Sequence, residues 1–234
     1  DPIQPENLRD LQARVLDTGA DVGLAFDGDA DRVFLVDERA RPVSGSTTTA
    51  LVARRVLQRE PRATVLYNLI CSRAVPEVIA ENGGRAVRTR VGHSIIKQTM
   101  VEEGAAFAGE HSGHYYFRDN YRADSGLIAA LLVLEALSES DGPMSGLLAP
   151  YERYAASGER NTAVGDPAAV IDRVAAHYAD WPQDRLDGLT VDLGDWWFNL
   201  RPSNTEPLLR LNVEAADEAT CQVRVAEVQA VVGQ

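Results

Sequence analysis

The chain's 234 residues suffice for one large domain or two smaller ones, and 45% hydrophobic with 25% charged residues is ordinary for a globular protein. A formal net charge of −12 argues against a nucleic-acid partner, whose backbone repels an acidic surface, but not against a small phosphorylated ligand held by local arginines. No apolar run reaches the ~18 residues of a membrane span, the opening residues lack a signal-peptide pattern, and Cys71 and Cys221 show no metal-ligand spacing, so no membrane association and a reducing, cytoplasmic setting are expected.

Pro5-Glu6-Asn7 opens a helical segment with Leu8, Leu11 and Val15 three and four apart, and Thr18-Gly19 stops it. Residues 21–26 and 32–36 read as strands joined by an acidic loop, and 37–42 as a turn. Ser46 is placed to cap a helix through Gln58, residues 63–67 are β-rich, and Ser72 is placed to cap a helix ended by Asn82-Gly83-Gly84. Short strands are expected at 86–89, 105–108 and 115–117, with helices at 94–103 and 125–137. This alternation predicts an α/β domain with a mixed, partly parallel sheet. A further helix is expected over 146–154, and Ser157-Gly158-Glu159 reads as a linker. Strands at 161–164, 189–193, 197–200 and 208–213, with helices at 168–178 and 218–232, then predict a smaller α+β domain. Its mostly antiparallel sheet is expected to bury two helices on one face. No internal repeat is visible in the sequence.

Four segments carry candidate chemistry. Asp27-Gly28-Asp29-Ala30-Asp31-Arg32 sets three carboxylates at alternating positions between two apolar runs, a pattern suited to wrapping a hard divalent cation such as Mg²⁺, with Arg32 beside it to meet a phosphate. A calcium EF-hand shares the first acidic positions, but it needs glycine where Arg32 stands and helices where β-prone flanks occur. A phosphatase loop with an aspartate nucleophile expects Thr where Asp31 stands. A plain solvated acidic turn is the remaining alternative. Glu110, Ser112 and His114 alternate in Gly109-Glu110-His111-Ser112-Gly113-His114 and would face one side of an extended chain, where a carboxylate and a hydroxyl can hold neighbouring sugar hydroxyls and a histidine can move protons. Arg201, Ser203, Asn204 and Thr205, in a loop stiffened by Pro202 and Pro207, offer many donors to one phosphate. Gly92, His93, Ser94 and Lys97 sit at a strand-to-helix junction, where free N–H groups attract anions. Each segment alone is an ordinary turn; together they point to one cleft.

These four segments, in this order, resemble the motif set of the α-D-phosphohexomutases, and most nearly the bacterial phosphomannomutase/phosphoglucomutase group. The resemblance runs along nearly the whole chain. It implies interconversion of hexose 6-phosphate and hexose 1-phosphate (mannose or glucose) by Mg²⁺-dependent phosphoryl transfer, through a hexose bisphosphate and an enzyme phosphoserine. It also implies that Asp27, Asp29 and Asp31 hold Mg²⁺, that Arg32, His93 and His114 are catalytic, and that Gly92, His93, Glu110, Ser112, Arg201, Ser203, Asn204 and Thr205 bind substrate. Ala30 stands where the family commonly has Gly, a mild change if the backbone there avoids positive φ. The family's Thr-Ala-Ser-His-Asn-Pro type segment, which supplies the phosphoserine, is not in these 234 residues. The chain therefore reads as a C-terminal portion: 1–41 the tail of domain two with the metal loop, 42–156 a sugar-binding domain three, and 157–234 a phosphate-binding domain four. Strand edges in the orphaned tail are expected to be vulnerable or re-paired. Alone it is expected to be inactive. The alternatives are a stand-alone sugar-phosphate binding module and a Mg²⁺-dependent phosphatase.

Overall fold

A computed structural model describes residues 1–203 and 207–233, and the chain divides into two compact units, Asp1–Glu152 and Arg153–Gln234. Among the described residues, no helix is long and apolar enough to cross a membrane.

In the first unit a 3-10 turn, Pro5–Leu8, leads into α1 (Arg9–Thr18), which Gly19 ends in the left-handed conformation. Strands β1 (Val22–Phe26), β2 (Val33–Asp37) and β3 (Pro42–Val43) form an antiparallel sheet in that order. Helix α2 (Gly45–Arg59) is followed by β4 (Thr64–Asn68), α3 (Ala74–Glu81), β5 (Arg85–Thr89), α4 (His93–Glu102), β6 (Phe107–Gly109) and β7 (Tyr115–Phe117). The second sheet runs β5-β4-β6-β7, with β4 parallel to β5 and β6 and with β7 antiparallel. Helices α5 (Gly126–Ser138) and α6 (Met144–Leu148) complete the unit.

All five residues of β2 are buried. Val33 and Leu35 join a core with residues of α2, α3, α5 and the second sheet, while Val36 packs with Leu8 and Val15 on the α1 side. One face of β2 thus joins the core of the α/β layers that follow, while its other face packs α1 in a separate cluster. β2 is also paired on both edges, by β1 and β3, whereas β1 is an edge strand of this sheet.

The second unit contains β8 (Ala155–Ala156), β9 (Arg160–Ala163), α7 (Pro167–His177), β10 (Gln183–Asp184), β11 (Leu189–Asp192), β12 (Trp197–Pro202), β13 (Leu208–Ala215) and α8 (Glu218–Val232). Its sheet is antiparallel, β10-β11-β12-β13-β8, with β9 also on β13. Val170, Ile171 and Val174 of α7 and Val225 and Val228 of α8 share a core with the sheet. Asp166 and Asp217 cap the two helices through their side chains. The mixed α/β unit followed by a smaller α+β unit is the class the sequence predicts.

Several local expectations are corrected. Ser44, not Ser46, caps α2, accepting from the Thr47 N–H at 3.0 Å; the Ser46 hydroxyl instead accepts from the Ser72 N–H at 3.1 Å. At α3 the expectation holds in substance: Arg73 immediately precedes the helix and makes no side-chain cap bond, while the Ser72 hydroxyl accepts from the Ala74 N–H at 3.1 Å. The helix expected over 146–154 begins at Met144 and gives way to a 3-10 turn at Ala149–Tyr151, because Pro150 has no N–H with which to continue it. Ser157 is no linker residue: its N–H bonds the Val213 carbonyl at 2.9 Å and its hydroxyl accepts from the Val213 N–H at 3.0 Å.

The first unit also contains a repeat that residue identities conceal. Helix, strand, polar turn, antiparallel strand and, after a short connection, serine-capped helix occur once as α1-β1-β2-α2, with β3 in the connection, and again as α4-β6-β7-α5, with a 3-10 turn in it. The repeats contact each other reciprocally. A Cβ at Gly45, the first residue of α2, would collide with the His111 backbone; one at Gly126, the first residue of α5, would lie 2.5 Å from the Arg32 carbonyl oxygen. An antiparallel bridge between Arg32 and His114 joins the two turns.

Candidate active site

The acidic loop is the connection of the β1–β2 hairpin, whose last ladder pair is Phe26–Val33. The Ala30 N–H bonds the Asp27 carbonyl at 3.2 Å, and this tight turn holds Ala30 at φ 59°. The change from glycine is therefore not mild: the backbone does need positive φ here, at a cost of about 1–2 kcal/mol for an L-residue. The turn gathers one carboxylate oxygen each from Asp27, Asp29 and Asp31 within 4.8 Å of one another.

Arg32 closes the loop, donating from Nε to Asp27 Oδ2 at 2.6 Å and from its backbone N–H to Oδ1 at 3.2 Å, and its Nη1 reaches Asp1 at 2.8 Å. Burial raises the Asp27 pKa, but the bonds and charge of Arg32 outweigh it and hold the carboxyl below its ordinary range. Asp31 goes the other way, pushed up by burial and by the charges of Asp27, Asp124 and Asp29 against the opposing pull of His114. Its Oδ1 is buried with no hydrogen-bond partner. An all-oxygen acidic donor set with one orphaned carboxylate oxygen suits a hard divalent cation.

The 110–114 segment is not extended. It is the β6–β7 turn, closed by bonds from the Glu110 N–H to the His114 carbonyl (3.0 Å) and from the Gly113 N–H to the Glu110 carbonyl (3.1 Å). The turn still collects the expected side chains. The Ser112 hydroxyl lies 3.0 Å from His114 Nδ1, and Glu110 Oε2 lies 3.6 Å from the same nitrogen. His114 Nε2 is 3.9 Å from Asp31 Oδ2, and the Val33 N–H bonds the Gly113 carbonyl at 3.2 Å. Acidic loop and turn are thus one cluster of Asp27, Asp29, Asp31, Arg32, Glu110, Ser112 and His114.

Gly92 precedes the first turn of α4 and His93, its first residue, is exposed. Their link to the cluster is indirect, through Lys97: its Nζ pairs with Asp124 at 3.1 Å and lies 5.7 Å above the Tyr116 ring. Sequence reasoning missed Asp124, which groups with Asp31 and His114 within 4.8 Å. It also missed Asn68 and Tyr116, whose side chains hold Glu110.

In the second unit, described by itself, Arg201 lies on β12 directly opposite Arg210 on β13. Glu159 reconciles the two like charges, 3.2 Å from Arg201 Nη2 and 3.3 Å from Arg210 Nη1. Arg210 Nη2 also donates to the Ser203 hydroxyl at 3.4 Å, and Ser203 N–H bonds the Leu208 carbonyl at 2.9 Å. Among the described residues, the Nε of each arginine is buried without a hydrogen-bond partner. Asn204 and Thr205 lie outside the described residues. Alternation along β13 would have flagged Arg210 as the cross-strand neighbour of Arg201.

Comparison with known proteins agrees along the chain. Residues 1–41 match the profile described as phosphoglucomutase/phosphomannomutase, alpha/beta/alpha domain II; residues 44–154 match domain III, and 159–231 the C-terminal domain. The chain belongs to the phosphoglucomutase/phosphomannomutase family. It is 41% identical over 229 residues to a phosphomannomutase of Methanocaldococcus jannaschii, covering 98% of this chain and 51% of that protein. It is 42% identical over 232 residues to a protein of Xanthomonas campestris named phosphohexose mutases, covering 97% and 52%. A crystal structure of a phosphoglucomutase/phosphomannomutase family protein from Burkholderia thailandensis superposes with a TM-score of 0.89 at 32% identity, covering 99% of this chain and 50% of that one. The chain spans about half the length of the curated phosphohexomutases it matches.

Proposed function

We propose that the protein of which these residues form part is a phosphohexomutase, interconverting the 6- and 1-phosphates of mannose or glucose through a hexose bisphosphate, in the cytoplasm. The observation that supports this reading is the joining of the acidic loop to the β6–β7 turn, which brings the three aspartates beside Glu110, Ser112 and His114 through Asp31 and His114. In this reading residues 1–41, 42–156 and 157–234 supply the metal loop, the sugar-binding domain and the phosphate-binding domain.

Asp27, Asp29 and Asp31 would hold Mg²⁺, which when bound neutralises charge on a transferring phosphoryl group. Arg32, already beside Asp27, offers its remaining guanidinium donors to that group's oxygens. Glu110 accepts from sugar hydroxyls and Ser112 orients His114 through Nδ1, leaving Nε2 to exchange a proton with the reacting hydroxyl. His93 and Gly92 contribute the exposed start of α4 to an anionic substrate. Arg201, Ser203, Asn204 and Thr205 grip the phosphate that does not react. Catalysis on this plan is positioning and charge neutralisation, and a single fixed phosphate grip lets the sugar be held either way round.

Taken alone, the 234-residue chain has no phosphoserine segment, and we assign it binding without turnover. Calorimetric titration with glucose 6-phosphate and Mg²⁺ tests this: binding is expected, lost in Arg201→Ala and weakened in Asp27→Ala. Absence of binding, or steady phosphate release lost in Asp27→Ala, refutes the reading, the latter in favour of a phosphatase.

A further inference from the structure

At the C-terminal ends of β7 and α2, away from the turn that carries Glu110 and His114, the first unit has a cavity of about 310 Å³. Its floor is apolar, built by Val56 of α2, Phe117 of β7 and Ile128 and Leu132 of α5. Its rim carries both signs of charge, Arg59 and Arg118 against Glu60 and Asp119. Beside it, α5 continues the apolar surface into solvent. Leu127, Leu131 and Leu134 are 56%, 66% and 37% exposed, and at about 3.6 residues per turn they fall on the arc of the helix adjoining Ile128 and Leu132. A contiguous apolar surface with a polar rim is the mark of an interaction site.

A projecting ring stands next to this hole. After β7 the chain makes a 3-10 turn, Arg118–Asn120, and then holds two successive non-glycine residues in the left-handed region, Tyr121 at φ 55° and Arg122 at φ 59°. L-residues avoid that region, so two in a row persist only where their surroundings impose it. Here the Arg122 N–H bonds the Phe117 carbonyl at 3.0 Å and the Ala123 N–H bonds the Asn120 carbonyl at 2.8 Å. Arg118 ties the turn to the end of α2 through bonds of 2.9 and 2.7 Å to the two Glu60 carboxylate oxygens. The outcome is a tyrosine 94% exposed, one residue beyond Asn120, which lines the cavity.

Charge and shape together say what covers this face. The four rim charges cancel, on a chain whose net charge of −12 repels its own copy. Approach through this face avoids that repulsion and lets each rim set its arginines against the other's carboxylates. A two-fold pairing brings a patch against itself, so knob and hole must lie on the same patch, as Tyr121 and the cavity do. We propose that this face is a self-association surface for a second copy of the chain, with Tyr121 of each copy seated in the cavity of the other and Leu127 and Leu131 packed across the two-fold axis. Tyrosine suits the role, since it buries a large rigid ring and keeps a polar tip. The inference is independent of the assignment of phosphoryl transfer.

Sedimentation velocity on the full 234-residue chain is the test, with a dimer in the micromolar range expected for an interface at the small end of the specific class. Tyr121→Gly removes the ring and relieves a left-handed residue, so the fold is not put at risk. It should weaken the dimer at least about thirtyfold, the loss of a buried aromatic anchor. Leu131→Glu should do the same by setting a charge into the apolar contact. Leu16→Glu, on α1 where Leu16 is 62% exposed, is the control and should leave the dimer intact. Melting curves of the three variants confirm that each is folded. A chain that stays monomeric at high micromolar concentration overturns the proposal. So does a dimer that Leu16→Glu breaks, or one that survives either Tyr121→Gly or Leu131→Glu.

Discussion

Replacing Gly126 with alanine probes whether the helix start of one repeat sets the acidic loop of the other. The added Cβ would lie 2.5 Å from the Arg32 carbonyl oxygen, 2.6 Å from its carbon and 3.0 Å from the Ala30 carbonyl oxygen, against ordinary contact beyond 3.4 Å. The loop backbone must therefore retreat by nearly an ångström. Overpacking of this kind costs about 1–3 kcal/mol, and alanine returns about 0.5–1 kcal/mol of helix propensity. The net loss is about 0–2.5 kcal/mol, centred near 1 kcal/mol, or roughly 2–4 °C in the melting of a unit of this size. Asp31 sits in the displaced segment, so Mg²⁺ affinity should fall by about tenfold, equivalent to about 1.4 kcal/mol. Scanning calorimetry and Mg²⁺ titration read the two effects separately. Gly45→Ala is the reciprocal experiment: its Cβ collides with the His111 backbone and lies 3.1 Å from the Glu110 carbonyl, so hexose-phosphate binding should suffer more than Mg²⁺ binding. Unchanged melting and Mg²⁺ affinity in Gly126→Ala would show that the contact does not set the loop.

Ala30→Gly should stabilise the first unit by about 1 kcal/mol, because glycine adopts φ near +59° without the penalty that alanine bears; urea unfolding with and without Mg²⁺ measures it. Asp31→Asn should raise the melting temperature in chelator and lower it relative to the unmodified chain in excess Mg²⁺. The raised Asp31 pKa means that its charged form opposes folding above that pKa when no cation is present, so stability in chelator should fall as pH rises through it. Asp27 has the opposite sign: its contribution is complete above the ordinary carboxylate range near pH 4 and is lost as pH falls through its lower folded value, a loss that Arg32→Met should suppress in an acid titration. Glu159→Gln should destabilise the second unit by about 1–3 kcal/mol by leaving Arg201 and Arg210 opposed without a counter-charge, and inorganic phosphate should restore part of the loss in a thermal-shift assay.

What the sequence made legible follows from the range of the forces involved. The acidic loop, the Glu110–His114 turn and the Arg201 segment are local patterns of side chains, and each was readable because its chemistry lies within a few consecutive residues. The layer order was readable as well, since periodicity and serine or aspartate caps are local. The partners of Glu110 were not: Asn68 and Tyr116 reach it from different strands, and only the β4–β6–β7 pairing brings them together. Reading 110–114 as extended failed because backbone bonds within the turn outweigh alternation of side-chain type. Ala30 misled because alanine does not advertise a left-handed backbone. The repeat is not legible in the sequence because Asp27–Arg32 and Glu110–His114 share a place in the hairpin and an opening carboxylate but no common residue pattern.

That doubled hairpin gives the first unit a common fate at its working end. The bridge between Arg32 and His114, flanked by the bond from the Val33 amide to the Gly113 carbonyl, stitches one turn to the other. Fraying at either seam should therefore expose both at once, and deuterium uptake at the Val33 and Glu110 amides should rise and fall together. A lesion confined to one motif would then register at its twin, with no intermediary between them.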